Sequence, residues 1–308
     1  MSPTVLDLFS GCGGFSLGFQ QAGYDIVAFV EMWKPAIETY KLNHPNAKHL
    51  GYDITKVKDE ELLEYRNKID VIIGGPPCQG FSLAGKRNKE DNRNQLYKEY
   101  LRFVEIINPK TIVMENVQGI LTMRDKDNEK IINKILKDLI RLEYLVTFKK
   151  IKAINYGIPQ NRERILIIGK KCNMFNETIN ECKTVIETIS DLPYEENGIN
   201  GHLHFKPTEK TLEKIKNLKQ GERLLNYNLS RRRIFADKPS PTIVTKPIYI
   251  HPYYNRLLTP RELARIQSFP DEFIFTGSKT SMVKQIGNAV PPKLAKEIAN
   301  DLFKDNIL

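Results

Sequence analysis

Along the first half of the chain, short apolar runs alternate with longer amphipathic ones. Val5-Leu6-Asp7-Leu8-Phe9 and Ile26-Val27-Ala28-Phe29-Val30 read as buried strands, with helices over Phe15 to Ala22, closed by Gly23, and over Pro35 to Leu42. Further strands are predicted around Leu50, at Val71 to Ile73, at Thr111 to Met114, around Val146 and at Ile165 to Ile168, with helices over Leu96 to Ile107 and Glu129 to Leu142. This βαβ rhythm predicts an α/β fold, a mostly parallel sheet covered on both faces. The rhythm fails after Gly169. Residues 171–260 are polar, basic and rich in Asn, Lys, Pro and Tyr, which predicts a separate small domain of irregular or antiparallel structure. Helical signals return at Pro260 to Gln267 and from Pro292 to Phe303.

A chain of 308 residues can bury one full α/β domain and a smaller unit. No apolar run approaches the roughly 20 residues of a membrane span. Met1-Ser2-Pro3-Thr4 leads straight into a strand without the features of a signal peptide, so a cytoplasmic location is expected. Cys12, Cys78, Cys172 and Cys182 form no Cys-x-x-Cys pair, which argues against zinc or a thioredoxin-like site; free thiols and no metal are expected. The net charge is +10, and residues 201–260 carry twelve Lys or Arg against four Asp or Glu. A positive surface of that size suits a polyanion, although charge alone is equally compatible with a solvated face.

The chemistry gathers at the predicted carboxyl ends of the strands, where open α/β sheets hold ligands. Gly74-Gly75-Pro76-Pro77-Cys78-Gln79-Gly80-Phe81-Ser82 follows an apolar run, and its prolines stiffen the backbone that displays Cys78. A displayed thiol is a candidate nucleophile. Ser10-Gly11-Cys12-Gly13-Gly14 forms a glycine-rich turn between strand and helix, where backbone can approach a ligand closely. Glu31 ends the second strand, a place where acids commonly bind ribose hydroxyls, and Asp53 ends the third strand region. Singly, such acids are more often helix caps; three such features at successive strand ends argue for an adenosine cofactor. Glu115 follows Thr111 to Met114 and is expected to be partly desolvated, which favours a proton-bearing role. In Gln160-Asn161-Arg162-Glu163-Arg164 alternation sends Arg162 and Arg164 to one side of a strand, as functional groups or as paired surface charges.

With these motifs in order, the chain resembles the DNA (cytosine-5)-methyltransferase family, in the form of prokaryotic or phage modification enzymes. The resemblance rests on Phe9 to Gly14, Glu31, Asp53, Pro76-Pro77-Cys78-Gln79, Glu115-Asn116-Val117, Gln160 to Arg164, Arg261 to Pro270 and Gln285 to Val290. It implies a Rossmann-like S-adenosylmethionine-dependent sheet with a target-recognition domain, and a flipped-out cytosine in double-stranded DNA as methyl acceptor. It implies Cys78 as the nucleophile at C6, Glu115 at N3, Arg164 at O2 and Arg162 bracing the pocket. For the cofactor it implies Phe9, Gly11 and Gly13 on the methionine side, Glu31 at the ribose, and Asp53 with Ile54 at the adenine. Pro76, Leu96, Asn288 and Val290 would line the rest. The position after Glu31 is often aromatic in the family, whereas here it is Met32 with Trp33 next; either could cover the adenine.

The implied division is residues 1–170 plus 285–308 as catalytic domain and 171–284 as recognition domain. Gly85 to Arg93 would be a loop closing over the base. Ser82, Lys86, Arg93, Arg231, Arg232, Arg233 and Thr242 are the expected DNA contacts. A monomer is expected, with a restriction endonuclease as a partner in function without stable contact. Three rivals carry less of the sequence. A tRNA cytosine methyltransferase of the same fold usually has Thr where this chain has Ser82. An amino-methyltransferase needs no cysteine at Cys78. An inactive DNA-binding regulator would not need Cys78, Glu115 and Arg164 together.

Overall fold

The computed structural model describes residues 2–77, 96–125, 128–171, 182–196, 198–225 and 230–304. Its centre is a seven-stranded sheet of order β3-β2-β1-β4-β5-β8-β6. The strands are β1 (Thr4–Leu8), β2 (Asp25–Val30), β3 (Lys48–Gly51), β4 (Val71–Gly74), β5 (Thr111–Asn116), β6 (Leu145–Lys152) and β8 (Glu163–Lys170), with β7 (Gln160–Asn161) outside the sheet. Strands β3, β2, β1, β4 and β5 run parallel; β8 lies antiparallel to both β5 and β6.

Alternation sends successive side chains to opposite faces, and both faces are covered. Leu6, Leu8, Ile72, Ile112, Met114, Ile165 and Ile167 pack on one face with α3 (Asp59–Leu63), α4 (Leu96–Ile107) and α5 (Ile131–Arg141). Val5, Val71, Ile73, Val113, Leu166 and Ile168 pack on the other with α1 (Gly14–Gln21), α2 (Lys34–Asn43) and α10 (Pro292–Lys304). The last helix thus returns to the first one. A β-carbon on Gly18 of α1 would come within 2.4 Å of Pro292 O, so only glycine allows this approach. Tyr24 OH donates to Ala299 O at 3.1 Å.

The remaining helices are α6 (Val185–Ile189), α7 (Glu209–Lys216), α8 (Pro260–Ile266) and α9 (Lys279–Asn288). The apolar pattern did not predict α6, α7 and α9, nor α3. Helix α6 is short and held by a Thr184–Glu187 capping box, while α7 buries only Ile215. Among the described residues of the basic stretch, the ladders are two-residue pairs. β10 (Ser240–Pro241) lies parallel to β7 and β11 (Tyr249–Ile250) parallel to β9 (Arg232–Arg233), with antiparallel bridges at Arg223–Arg232 and Ile250–Leu257. A third apolar cluster joins Ile234, Ile243, Leu263, Phe269, Val283 and Ile286 to Cys12 of the glycine-rich turn.

Part of the positive charge of residues 201–260 is held inside the molecule. Arg233, expected at DNA, is only 4% exposed. Its guanidinium donates to the carbonyls of Ile215, Leu218, His251 and Tyr254 and to Asn255 Oδ1. A buried guanidinium is tolerable only when its donors are met, and here they gather two segments of chain, 215–218 and 251–255. Arg256 pairs bidentately with buried Glu262, at 2.7 and 2.8 Å.

Beneath the first strand end, Asp7 is buried, and Ser16 Oγ donates to its Oδ2 at 2.7 Å and contacts Tyr40 OH at 2.7 Å. Asp7 Oδ1 has no hydrogen-bond partner among the described residues. Burial pushes its pKa from 3.8 to about 8, opposed by the Ser16 hydrogen bond and reinforced by Glu31. Because the folded state holds this proton more tightly than the unfolded chain, Asp7 contributes stability fully below about pH 4 and loses it as pH rises to about 8. Asp7→Asn, which mimics the protonated acid, is therefore expected to lose less melting temperature than the wild type between pH 5 and pH 8. Equal pH slopes in thermal scans of the two proteins would refute a buried neutral acid.

Candidate active site

The parallel strands deliver several of the candidate side chains to one edge. After β1 the chain turns left-handed at Phe9, Gly11 and Gly13, with φ of 57°, 56° and 92°. Gly13 cannot carry a side chain, since a β-carbon would meet the His44 ring at 2.7 Å. At the end of β2, Glu31 Oε2 accepts from Gly11 N at 2.8 Å, and Oε1 accepts from Met32 N and Trp33 N at 2.9 and 2.8 Å. His49 Nε2 of β3 contacts Glu31 O at 3.1 Å.

Asp53 lies just past β3 and caps a short 3-10 turn, accepting from Thr55 N and from the Thr55 hydroxyl at 3.0 and 2.8 Å. Those bonds, the hydroxyl first, hold its carboxyl below the ordinary range. It is therefore a cap as well as an exposed acid. Ile54 is buried in the core and Leu96 packs against it at the start of α4. From the C-terminal segment, Val290 O lies against Gly14, and Asn288, the last residue of α9, is exposed.

The second group surrounds Glu115. Arg164 Nε stands 2.9 Å and Arg162 Nη2 4.0 Å from Glu115 Oε1. Alternation thus does place both arginines on one side, yet their surroundings differ. Arg162 is 3% exposed and donates to Gly287 O at 3.2 Å, tying β8 to the returning C-terminal segment. Burial, then the Arg164 charge, lowers its pKa to about 9, with Glu115 opposing; it stays protonated at neutral pH. Glu115 is mostly buried, with its carboxylate 3.5 Å from where a β-carbon on Gly75 would stand. Asn116 Nδ2 donates to Pro76 O at 3.1 Å, fixing the Gly75-Pro76-Pro77 turn. Asn116 had no assigned role in the sequence; its place beside Glu115 was the available signal. Cys78, Ser82, Lys86, Arg93 and the Gly85 to Arg93 loop lie outside the described residues.

A groove of about 510 Å³ opens between β7 and the basic stretch, lined by Asn161, Arg232, Thr242, Val244, Ile248 and Tyr249, with Pro241. The Thr242 hydroxyl donates to Asn161 O, and Tyr249 OH donates to Thr242 O at 2.5 Å. The Arg232 guanidinium lies 5.4 Å from the Tyr249 ring centroid, and its Nε has no hydrogen-bond partner among the described residues. Arg231 is half-buried beside it. Two buried glutamines, absent from the expected set, tie neighbouring segments together: Gln160 Oε1 accepts from Ile243 N at 3.0 Å, and Gln267 Nε2 donates to Ala289 O at 2.7 Å. Gln160 lies in a two-residue strand and Gln267 closes α8, so neither carries a periodic signal, and only the fold shows Gln160 Nε2 donating to Gln267 Oε1.

The profile of the C-5 cytosine-specific DNA methylases matches residues 3–304. Type II methyltransferase M1.HphI of Haemophilus parahaemolyticus is 40% identical over 99% of this chain and 88% of that protein. Type II methyltransferase M.DdeI of Desulfomicrobium norvegicum is 35% identical over 96% of this chain and 87% of its own. Among solved structures, an E. coli prophage-encoded candidate DNA modification methyltransferase superposes with a TM-score of 0.85 at 31% identity, over 98% of this chain and 99% of that one. The DNMT2 of Spodoptera frugiperda shares the fold at a TM-score of 0.72 and 18% identity, over 98% of this chain and all of its own. A sheet edge that gathers Glu31, Glu115, Arg162 and Arg164, in a chain matched from end to end, places this protein in the C-5 cytosine-specific DNA methylase family.

Proposed function

We propose that the protein methylates C5 of a cytosine flipped out of a specific double-stranded DNA sequence, with S-adenosylmethionine as donor and Cys78 as a transient covalent nucleophile. The observation that carries this reading is the convergence of Arg164, Arg162 and the Gly75-Pro76-Pro77 turn on Glu115. Cys78 follows that turn directly in the chain. When bound, S-adenosylmethionine supplies an electrophilic methyl on a sulfonium sulfur. The chain fits it: an acid on the second strand end, an exposed acid past the third, and a left-handed glycine turn with open space at Gly11. Phe9, Gly11, Gly13, Glu31, Met32, Asp53, Pro76, Asn288 and Val290 would hold it, with Ile54 and Leu96 supporting them from the core.

The remaining chemistry belongs to the protein. The Cys78 thiolate adds to C6 and pushes electron density to C5. Glu115 holds N3 in a hydrogen bond, Arg164 holds O2, and Arg162 keeps both aligned. Once C5 has gained its methyl, a base removes the C5 proton, the C5–C6 double bond re-forms and Cys78 leaves as thiolate. Residues 171–284 would supply DNA recognition, opposite a catalytic domain of 1–170 plus 285–308. The type II relatives favour a modification role, paired with a restriction endonuclease of the same specificity.

Cys78→Ser is expected to abolish methyl transfer with cofactor binding intact, because a hydroxyl is far less ionised than a thiol at neutral pH. DNA bearing 5-fluorocytosine at the target should trap the wild type covalently, since fluorine cannot leave as a cation. A peptide map placing the link on Cys12, Cys172 or Cys182 would overturn the assignment.

Glu31→Ala is expected to weaken S-adenosylmethionine binding by about 1–3 kcal/mol, the usual loss for a hydrogen bond to a charged group. Asp53→Ala should weaken it less, because solvent screens an exposed carboxylate. Unchanged affinity by calorimetry in both variants would misplace the adenosine pocket.

At the groove, Arg231→Ala with Arg232→Ala should weaken DNA binding by more than about tenfold. It should also flatten the log K against log salt slope by about 0.9 for each phosphate that is no longer neutralised. Arg233→Ala should instead lower the melting temperature, because it leaves buried carbonyls unmet. An unaltered salt slope in the double variant would move the DNA-facing surface elsewhere.

A further inference from the structure

The turn after Glu31 offers two side chains for the adenine, Met32 and Trp33, and the structure treats them differently. Met32 is 73% exposed. Trp33 is half-buried, and Lys284 Nζ stands 4.2 Å from its ring centroid. The Trp33 backbone is tied on both sides: its N–H donates to Glu31 Oε1 at 2.8 Å, and its carbonyl accepts from Ala36 N and Ile37 N at 2.9 and 3.1 Å, starting α2. Helix α2 is itself stitched to the C-terminal half. Asn43 exchanges hydrogen bonds with Ile274 N and O at 2.9 and 2.8 Å, and Thr276 bonds Thr39 and Pro35 O at 2.9 and 3.2 Å. Lys284 lies one turn before Asn288 on α9, so the two share a helix face.

We propose that Trp33 and Lys284 are a positioning pair. Helix α9 grips the indole face through the lysine and so fixes the Glu31–Met32 turn, leaving Met32 as the side chain that covers the adenine. The pair acts through Glu31, whose carboxylate is oriented by the amide of the residue that Lys284 holds. Met32 is suited to its part, since a polarizable thioether packs well on an aromatic face. This proposal rests on the cofactor reading above and deepens it.

Trp33 is the single tryptophan of the chain, so its emission reports on this turn alone. S-adenosylhomocysteine, titrated without DNA, is the probe, with calorimetry giving affinity independently. In the wild type, saturation should change tryptophan emission little, because the indole remains under Lys284. Lys284→Ala should raise acrylamide quenching of Trp33 and weaken binding about threefold, and Lys284→Arg should restore both, since a guanidinium also stacks on indole. Met32→Ala should weaken binding about fivefold without altering the quenching of the free protein. Strong quenching of Trp33 by the ligand, with normal binding by Met32→Ala, would put the indole on the adenine and overturn the proposal. So would a Lys284→Ala protein unchanged in both affinity and acrylamide quenching. Absence of any binding by the wild type would instead remove the cofactor reading, and the proposal with it.

Discussion

Five parallel strands end on one edge of the sheet, and everything chemical in the molecule depends on that register. Parallel pairing aligns the carboxyl ends of β1, β2, β4 and β5, so the residues just beyond them meet although they are distant in sequence. Leu8 pairs with Val30 and Gly74, and Gly74 with Met114. The next residues along are therefore the glycine-rich turn, Glu31, the Gly75-Pro76 turn and Glu115. Glu31 then uses both oxygens on backbone amides of two different turns, which holds that part of the edge in shape.

The second dependence is on guanidinium groups placed inside the protein. Arg162 joins Glu115 to the Gly287 carbonyl, and Arg261, fully buried, donates to the carbonyls of Asn200, Pro270 and Phe273. Arg233 does the same for four carbonyls of the basic stretch. Such groups are costly to bury unpaired and directional once paired. In a region whose ladders are two residues long, they add directional order to what its apolar clusters provide. This also revises the meaning of the net charge: the basic stretch is less positive at its surface than its composition suggests.

The first half of the chain could be read because its signals are local. Val71 to Ile73 is wholly buried and Leu96 to Ile107 keeps one apolar face, so strand and helix follow from periodicity, and the order of strand and helix predicts a parallel sheet. Glu31 and Glu115 of the candidate site were also legible because they stand directly beyond apolar runs, and Arg162 and Arg164 because they open one. The second half was not, since α6 and α7 offer few apolar residues and the two-residue strands none of the length that makes a pattern.

What the sequence by itself determined is therefore the sheet, its covering helices other than the short α3, the family resemblance and the identity of the groups at the strand ends. Tertiary structure decided which way those groups turn. Arg233 faces inward while Arg232 lies at the groove, although they are neighbours in one short strand, because alternation gives opposite faces and only packing says which is core. Trp33 meets Lys284 and Met32 remains exposed for a similar reason. A residue's chemistry is local, but its partner comes from α9, about 250 residues further along the chain, and no local pattern contains that distance.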